Sequence, residues 1–388
     1  MKKGLKIALT TILSVVGVVV LVVGGYVAYV AISYNRIADN LILDVISKSN
    51  LDKLESEKEY SITTYNIGFG AYSQDYTFFL DEGIELDGSK TTGKNSKGKS
   101  KQEVQYNTDG AIALIKELNP DFSLFQEVDT DSTRSYHINQ NDLIGKAFDD
   151  YDLTHAVNFH SAYLAYPFND MHGKSNAGIT TISKYKINNA VRKKFTVSTS
   201  FSKFFDLDRC FSVNELSVDN DKKLYLINVH MSAYDEGGVI RKAQREELNT
   251  FLTEASSNGD YVIVGGDYNH DLLTYNPEYN YDINNIPFKD YIGQLKPDWL
   301  QYFYESDGSV DLTDGFKVVA SDNAPTCRSA DTTWEIGHSY VATIDGFIIS
   351  NNVEVSSVRT IVSKNGNKGL EHFAYSDHDP VYMTFKLK

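Results

Sequence analysis

Cysteine is nearly absent. Two residues, Cys210 and Cys327, in a chain of 388 exclude a disulfide framework and a cysteine-built zinc site, leaving a single bridge between them as the one pairing open. Proline is scarce at 7 and tryptophan at 2, and no repeat of solenoid period occurs. Net positive charge is lacking too: Lys+Arg number 37 against 52 Asp+Glu, a formal charge of −15. Such a body does not draw polyanions by its overall field. That argues against a duplex-coating role and leaves anion binding to a local basic pocket or a bound cation. A hydrophobic fraction of 41% against 23% charged residues excludes global disorder.

What the chain does have is one long apolar run. Ile7–Ile32, IALTTILSVVGVVVLVVGGYVAYVAI, contains no charge and follows Lys2, Lys3 and Lys6. As a helix it is about 39 Å long, enough to cross a hydrocarbon layer of roughly 30 Å with some tilt. The lysines before it predict a cytoplasmic N-terminus over 1–6, a transmembrane helix over 7–32, and everything after it outside the cytoplasm. A cleaved signal peptide is the alternative, with Ala31-Ile32-Ser33 as its small-x-small site. The run is longer than the apolar region of such a peptide, which favours the anchor.

Residues 33–59 read as a polar, partly helical stalk, and the pattern beyond Tyr60 alternates strand, loop and helix. Buried strands are expected at 61–66, 121–127, 178–183, 224–230 and 261–264, with late strands at 341–350 and 381–385. Helical periodicity covers 107–118, ending at Asn119-Pro120, and 239–256. Residues 85–105 carry five lysines among Gly and Ser (DGSKTTGKNSKGKSKQ) and read as a long flexible loop, the one basic segment. Many strands with a few interspersed helices predict an α/β sandwich.

The strands share a way of ending. They finish at Asn66, at Gln126-Glu127, at Asn228-Val-His230 and at Gly265-Gly-Asp267-Tyr-Asn269; Asp345 and Ser376-Asp377-His378 flank the late ones. Such rims converge on a ligand crevice in α/β sheets. Glu127, Asp267, Asp345 and Asp377 cannot gather as bare anions, because each desolvated carboxylate costs several kcal/mol before repulsion is added. A divalent cation resolves this, and oxygen donors without cysteine suit Mg²⁺ or Mn²⁺ better than zinc. A hard cation on carboxylates, with two imidazoles beside it, points to hydrolysis of a phosphoester.

Taken in order, Thr64-Tyr-Asn66-Ile, Gln126-Glu127-Val-Asp129, Asn176 to Ser183, Asn228-Val-His230, Gly265-Gly-Asp267-Tyr-Asn269, Ile344-Asp345-Gly-Phe and Ser376-Asp377-His378-Asp-Pro-Val381 resemble the endonuclease/exonuclease/phosphatase (DNase-I-like) superfamily. The resemblance spans 60–388 and implies a four-layered α/β sandwich, two packed and mostly antiparallel sheets flanked by helices. It also implies site roles. Glu127 would be the principal metal ligand, with Asn66 and Asp377 beside it. Asp267 would orient or deprotonate water, and Asn269 would hold a phosphoryl oxygen. His378, held by Asp345, and His230 would serve as charge stabiliser and general acid, in roles the resemblance leaves interchangeable. Asn176 and Arg134 are candidate substrate contacts; Asn176 could equally be a turn residue. Arg328 and Trp334 are further candidates.

The implied cofactor is Mg²⁺ or Mn²⁺, and the implied partner is a phosphodiester substrate, either nucleic acid or a phospholipid head group. A nuclease-type phosphodiesterase is the first reading. A sphingomyelinase- or phospholipase C-like enzyme is the second, and a non-catalytic tethered binding module the third.

Overall fold

The computed structural model describes residues 2–199, 208–233, 236–273 and 293–388. Two seven-stranded sheets pack face to face. The first runs, edge to edge, Leu41–Ile42, Asn189–Lys194, Cys210–Ser217, Lys223–His230, Tyr261–Asp267, Asp345–Ser350 and Phe316–Val319. The second runs Val45–Ile46, Asp152–His160, Asn176–Ser183, Phe122–Asp129, Glu59–Asn66, Val381–Leu387 and Val353–Thr360. Each contains one parallel pair, and its other pairs are antiparallel. Apolar inner faces meet in a core that includes Ile62, Leu124, Leu226, Ile263, Phe347 and Met383. The helices Lys101–Leu118 and Gln140–Ala147 cover the outer face of one sheet, and Val239–Ser256 covers the other. This is the expected four-layered α/β sandwich.

Between the sheets lies a small polar layer. Gln126 donates to Asn228 Oδ1 at 2.8 Å, and Asn228 Nδ2 donates to the carbonyls of Phe125 and Thr180. Buried amides of this kind are tolerated only when their donors and acceptors are met. Here they lock one sheet in register over the other, immediately beneath the strand ends that carry Asn66, Glu127 and His230.

Several expectations change. The first helix of the domain begins at Lys101 rather than 107, capped by the Ser100 hydroxyl, which accepts from Glu103 N–H at 3.1 Å. Its first two turns bury only one apolar residue, Val104, beside the polar Asn107 and Thr108, so they lack apolar periodicity; the Ser100-x-x-Glu103 capping pattern was the available signal. The basic segment is not a free loop. Glu82–Glu85 and Lys90–Thr92 pair antiparallel, and Lys97 and Lys99 bond Asp170 and Asp75 at 3.0 and 2.6 Å. Residues 34–59 hold no helix; Leu41–Ile42 and Val45–Ile46 extend the two sheets instead. Cys210 and Cys327 are both free and buried, in separate parts of the core.

Two buried histidines tie stability to pH. His172 and His270 are 5% and 3% exposed, and each ring bonds a backbone carbonyl through Nδ1. Burial, with nearby guanidinium charge, pushes them down to about 4 and about 3. Above the unfolded value of 6.5 neither state is protonated. As pH falls below that value, the unfolded chain takes up protons that the folded chain refuses, so stability is lost toward pH 4. The urea midpoint is therefore expected to fall between about pH 8 and pH 5, and His172→Asn should reduce that fall. An equal fall in the variant would remove His172 from the acid response.

Candidate active site

Strand pairing brings the polar rim together. His230 is the register partner of Asp267, and Asp267 is the partner of Asp345 on its other side. In the facing sheet Asn66 is paired with Gln126, which puts Glu127 one residue further along. At that point the register with the strand Asn176–Ser183 shifts between Phe125 and Val128, and Glu127 takes a left-handed φ of 54°. Bulges of this type re-aim a side chain at the edge of a sheet. Gly266 is required beside Asp267, since a Cβ there would lie 1.9 Å from the Val229 carbonyl oxygen.

Asp267 is the hub. Its Oδ2 accepts from Asn66 Nδ2 at 3.0 Å and lies 3.5 Å from His230 Nε2 and 3.8 Å from His378 Nε2. Its Oδ1 accepts from the Asn269 N–H at 2.9 Å, and Asn269 has a left-handed φ of 50°. His378 Nδ1 bonds Asp345 Oδ2 at 2.8 Å. Ser376 and Thr326 hold the flanks: the Ser376 hydroxyl donates to the Asn66 carbonyl at 2.8 Å, and the Thr326 hydroxyl accepts from Asp345 N–H at 3.1 Å. All eight residues expected in the catalytic and metal sets, from Asn66 to His378, therefore lie in one cluster. They line, or bond to the lining of, a cleft of about 570 Å³.

The two imidazoles sit in opposite electrostatic settings. Burial pushes His230 well below its ordinary range, and the Arg209, His378 and Arg134 charges add to the effect. Burial also opposes charge on His378, but the facing Asp345 carboxylate, with Cys327 and Asp377 behind it, overrides this and holds it well above. Burial raises Asp267, against the pull of His378, with the Asp345 charge adding to the rise. His378 is thus the ring whose surroundings favour a proton and His230 the ring whose surroundings oppose one. The arrangement can hold a proton at His378 Nε2 and present a neutral imidazole on the other side of Asp267.

The residues fit a divalent cation. Asp377 is raised by burial, against the pull of His378, and the nearby Glu127 charge adds to the rise, against Arg328, so the Glu127 and Asp377 charges oppose each other in the buried site. Asp345 Oδ1 and His230 Nδ1 are buried without a protein hydrogen-bond partner. Atoms of Asp267, Asp345 and His378 lie within 4.8 Å of one another, as do those of Cys327, Asp377 and His378. Oxygen donors dominate, which suits a hard ion. Asn66 differs from its expected part: its Nδ2 faces Glu127 and Asp267 while its Oδ1 accepts from Gly68 N–H at 3.0 Å. It is a donor that bridges the two acids.

Other expectations fare differently. Asn269 Nδ2 donates one of its two hydrogens to the Met231 carbonyl at 2.9 Å, which ties the turn and leaves the other for the cleft that Asn269 lines. Asn176 does not line the cleft; it opens the strand Asn176–Ser183 opposite His160, and its Nδ2 donates to Thr130 Oγ1 at 2.9 Å. Trp334 lies in the core with its indole N–H on the Glu371 carbonyl. Arg328 lines the cleft, but its guanidinium donates to the carbonyls of Ser73, Tyr76 and Ser329. Arg134 is bidentate to Asp129 at 2.9 and 3.2 Å and lies over the Phe69 ring at 3.9 Å. Removing Asp129 strands that buried cation, so Asp129→Ala is expected to cost about 3–5 kcal/mol in urea unfolding, most of it recovered in Asp129→Ala/Arg134→Met. A loss below about 1 kcal/mol would make the pair dispensable.

Arg134 also borders a second compartment, about 680 Å³, that shares Tyr72, Glu127 and His230 with the cleft. Its other walls include Phe69, Phe78, Phe159 and Arg209. No motif pointed to Arg209 or to this aromatic wall, because those residues come from segments with no common pattern.

The sequence matches the Endonuclease/Exonuclease/phosphatase family over residues 63–378. Among solved structures, it is similar to ANGEL2, a 2′,3′-cyclic phosphatase, in complex with adenosine-2′,3′-vanadate, at 16% identity and a TM-score of 0.50, covering 91% of this chain and 99% of that one. It is also similar to truncated TDP2 from Caenorhabditis elegans, at 15% identity and TM-score 0.48, covering 85% and 99% of the two chains. A third is an endonuclease/exonuclease/phosphatase from Beutenbergia cavernae, at 14% identity and TM-score 0.48, covering 85% and 72%. No curated protein sequence matches. With its two-sheet sandwich and a family match across most of its length, the chain belongs to the Endonuclease/Exonuclease/phosphatase family, whose members hydrolyse phosphoester bonds and generally use divalent metals.

Proposed function

We propose that this protein is a membrane-anchored, extracytoplasmic phosphodiester hydrolase dependent on Mg²⁺ or Mn²⁺, acting in the manner of a nuclease. In this reading residues 1–6 are cytoplasmic, 7–32 span the membrane, 33–59 connect and lend an edge strand to each sheet, and 60–388 form the hydrolase. The helix Lys2–Ser33 is long and apolar enough for the span, with a mean hydropathy of 2.7 over its most apolar 18 residues. The observation that carries the chemistry is Asp267, fixed by Asn66 and lying 3.5 and 3.8 Å from the imidazoles of His230 and His378.

Glu127 and Asp377 would hold the cation, which when bound neutralises phosphoryl charge as a Lewis acid. Asp267 positions the attacking water and accepts its proton, a role suited to a carboxylate raised by burial. His378 carries a proton on Nε2 toward the phosphate, where it stabilises charge on the departing side. Asp345 fixes its tautomer. His230, neutral, donates its one N–H to a phosphoryl oxygen.

The aromatic compartment favours nucleotides over choline lipids. Flat rings stack on Phe and Tyr, each worth about 1–3 kcal/mol. A quaternary ammonium would instead meet the guanidinium groups of Arg134 and Arg209. Anchoring in a bilayer favours the phospholipase C-like alternative. The full chain in detergent, given bis-p-nitrophenyl phosphate, plasmid DNA and liposomes side by side, separates these readings. Nuclease action predicts chelator-sensitive plasmid loss, and release of phosphorylated head groups predicts the lipase. No turnover of any of the three with Mg²⁺ or Mn²⁺ leaves the non-catalytic binding module.

A further inference from the structure

The segment after the strand Asp152–His160 exposes an unusual set of side chains. Tyr163, Tyr166, Phe168 and Met171 are 41, 54, 81 and 36% exposed within nine residues. A soluble surface scatters such groups; a contiguous cluster marks a contact.

The anchor helix says what that contact is. Tyr26 Oη donates to the Tyr163 carbonyl at 3.2 Å and accepts from Ala165 N–H at 2.8 Å. Tyr29 Oη accepts from Tyr163 N–H at 3.1 Å. Counted from Ile7, about 20 residues fill a hydrocarbon layer of roughly 30 Å, so the layer ends near Tyr26. The backbone of this segment is therefore tied to the helix at the outer boundary of the layer. Tyr and Phe at that depth belong to the interface, where amphipathic rings are favoured.

Charge agrees. The lysine-rich segment, the one basic stretch of the sequence, is stitched to the same loop. Asp170 accepts from Ser96 N–H at 3.1 Å, and His172 Nδ1 donates to the Ser96 carbonyl at 2.7 Å. Lys97 is spent on Asp170 at 3.0 Å, but Lys94 and Lys174 are exposed. Positive charge beside an aromatic cluster matches the phosphates of a lipid surface.

We propose that residues 163–171 are a second membrane contact, seated in the headgroup layer beside the anchor, with Lys94 and Lys174 supplying charge for lipid phosphates. This rests on the anchor reading above. It also orients the enzyme. Leu164 lines the aromatic compartment, and the Tyr166 ring lies 5.9 Å from that of Phe79, another wall residue, so the compartment opens at the bilayer surface.

The test uses the full chain in vesicles. Phe168→Cys is labelled with an environment-sensitive fluorophore, the native Cys210 and Cys327 being buried. Asn351→Cys, in the turn at the opposite end of the sheets, is the reference. Lipids spin-labelled just below the headgroup are expected to quench the probe at 168 roughly two-fold or more and to shift its emission to the blue, with the reference unaffected. Equal behaviour at both positions, in protein that floats with the vesicles, overturns the contact and leaves the anchor standing. Protein that does not float with them overturns both.

Discussion

Asp267→Asn is expected to lower phosphodiester turnover roughly a hundred- to ten-thousand-fold, the range for groups that move a proton or stabilise charge in a transition state. The substitution is close to isosteric. Its side-chain oxygen can still accept from the Asn269 N–H, and its position between the sheets is fixed by backbone pairing to His230 and Asp345. It removes the charge that His378 faces at 3.8 Å and the acceptor for a proton from water. Stability should change by no more than about 1–2 kcal/mol, because relief of a carboxylate that burial disfavours is set against the lost acceptor for Asn66 Nδ2. Circular dichroism and a urea curve establish the fold, and initial rates with bis-p-nitrophenyl phosphate establish the loss. A rate within a few-fold of wild type would take Asp267 out of the reaction.

Glu127→Gln is expected to abolish activation by Mg²⁺ and Mn²⁺ across the accessible concentration range, lowering turnover about a thousand-fold or more. The bulge that aims Glu127 at the cleft is a backbone feature, so the amide takes the same place. With one of two facing carboxylates neutralised, Asp377 loses the neighbour that raises it. Calorimetric titration with Mn²⁺ separates a binding loss from a chemical one. Undiminished Mn²⁺ affinity in Glu127→Gln would reassign the ligand.

The site was more legible in the sequence than the fold around it. Each residue of the cluster stands at the end of an apolar, β-branched strand, a pattern that local composition writes out plainly, as in Val262-Ile-Val-Gly-Gly-Asp267. The strands Asp152–His160, Cys210–Ser217 and Val353–Thr360 were not legible. The first two carry buried polar groups such as Thr154 and Asn214, which bond each other across the sheets at 2.6 Å. The third is an edge strand with most of its positions open to water. In all three, tertiary pairing satisfies residues whose local pattern resembles a loop. Side-chain partners were the other blind spot. Arg134 reads as a phosphate clamp until Asp129 is found against it, and Asn66 reads as an oxygen ligand until Gly68 is found on its oxygen. Spacing places a residue at a site but does not orient its polar atoms.

The central claim is that residues from both sheets hold one divalent cation at the strand ends. Anomalous diffraction from crystals grown with Mn²⁺ tests it directly. The account predicts one strong peak against the Glu127 carboxylate, with Asp377 and the Asp267–His378 cluster around it. A well-ordered crystal with its strongest peak away from Glu127, or with none at all, would contradict it.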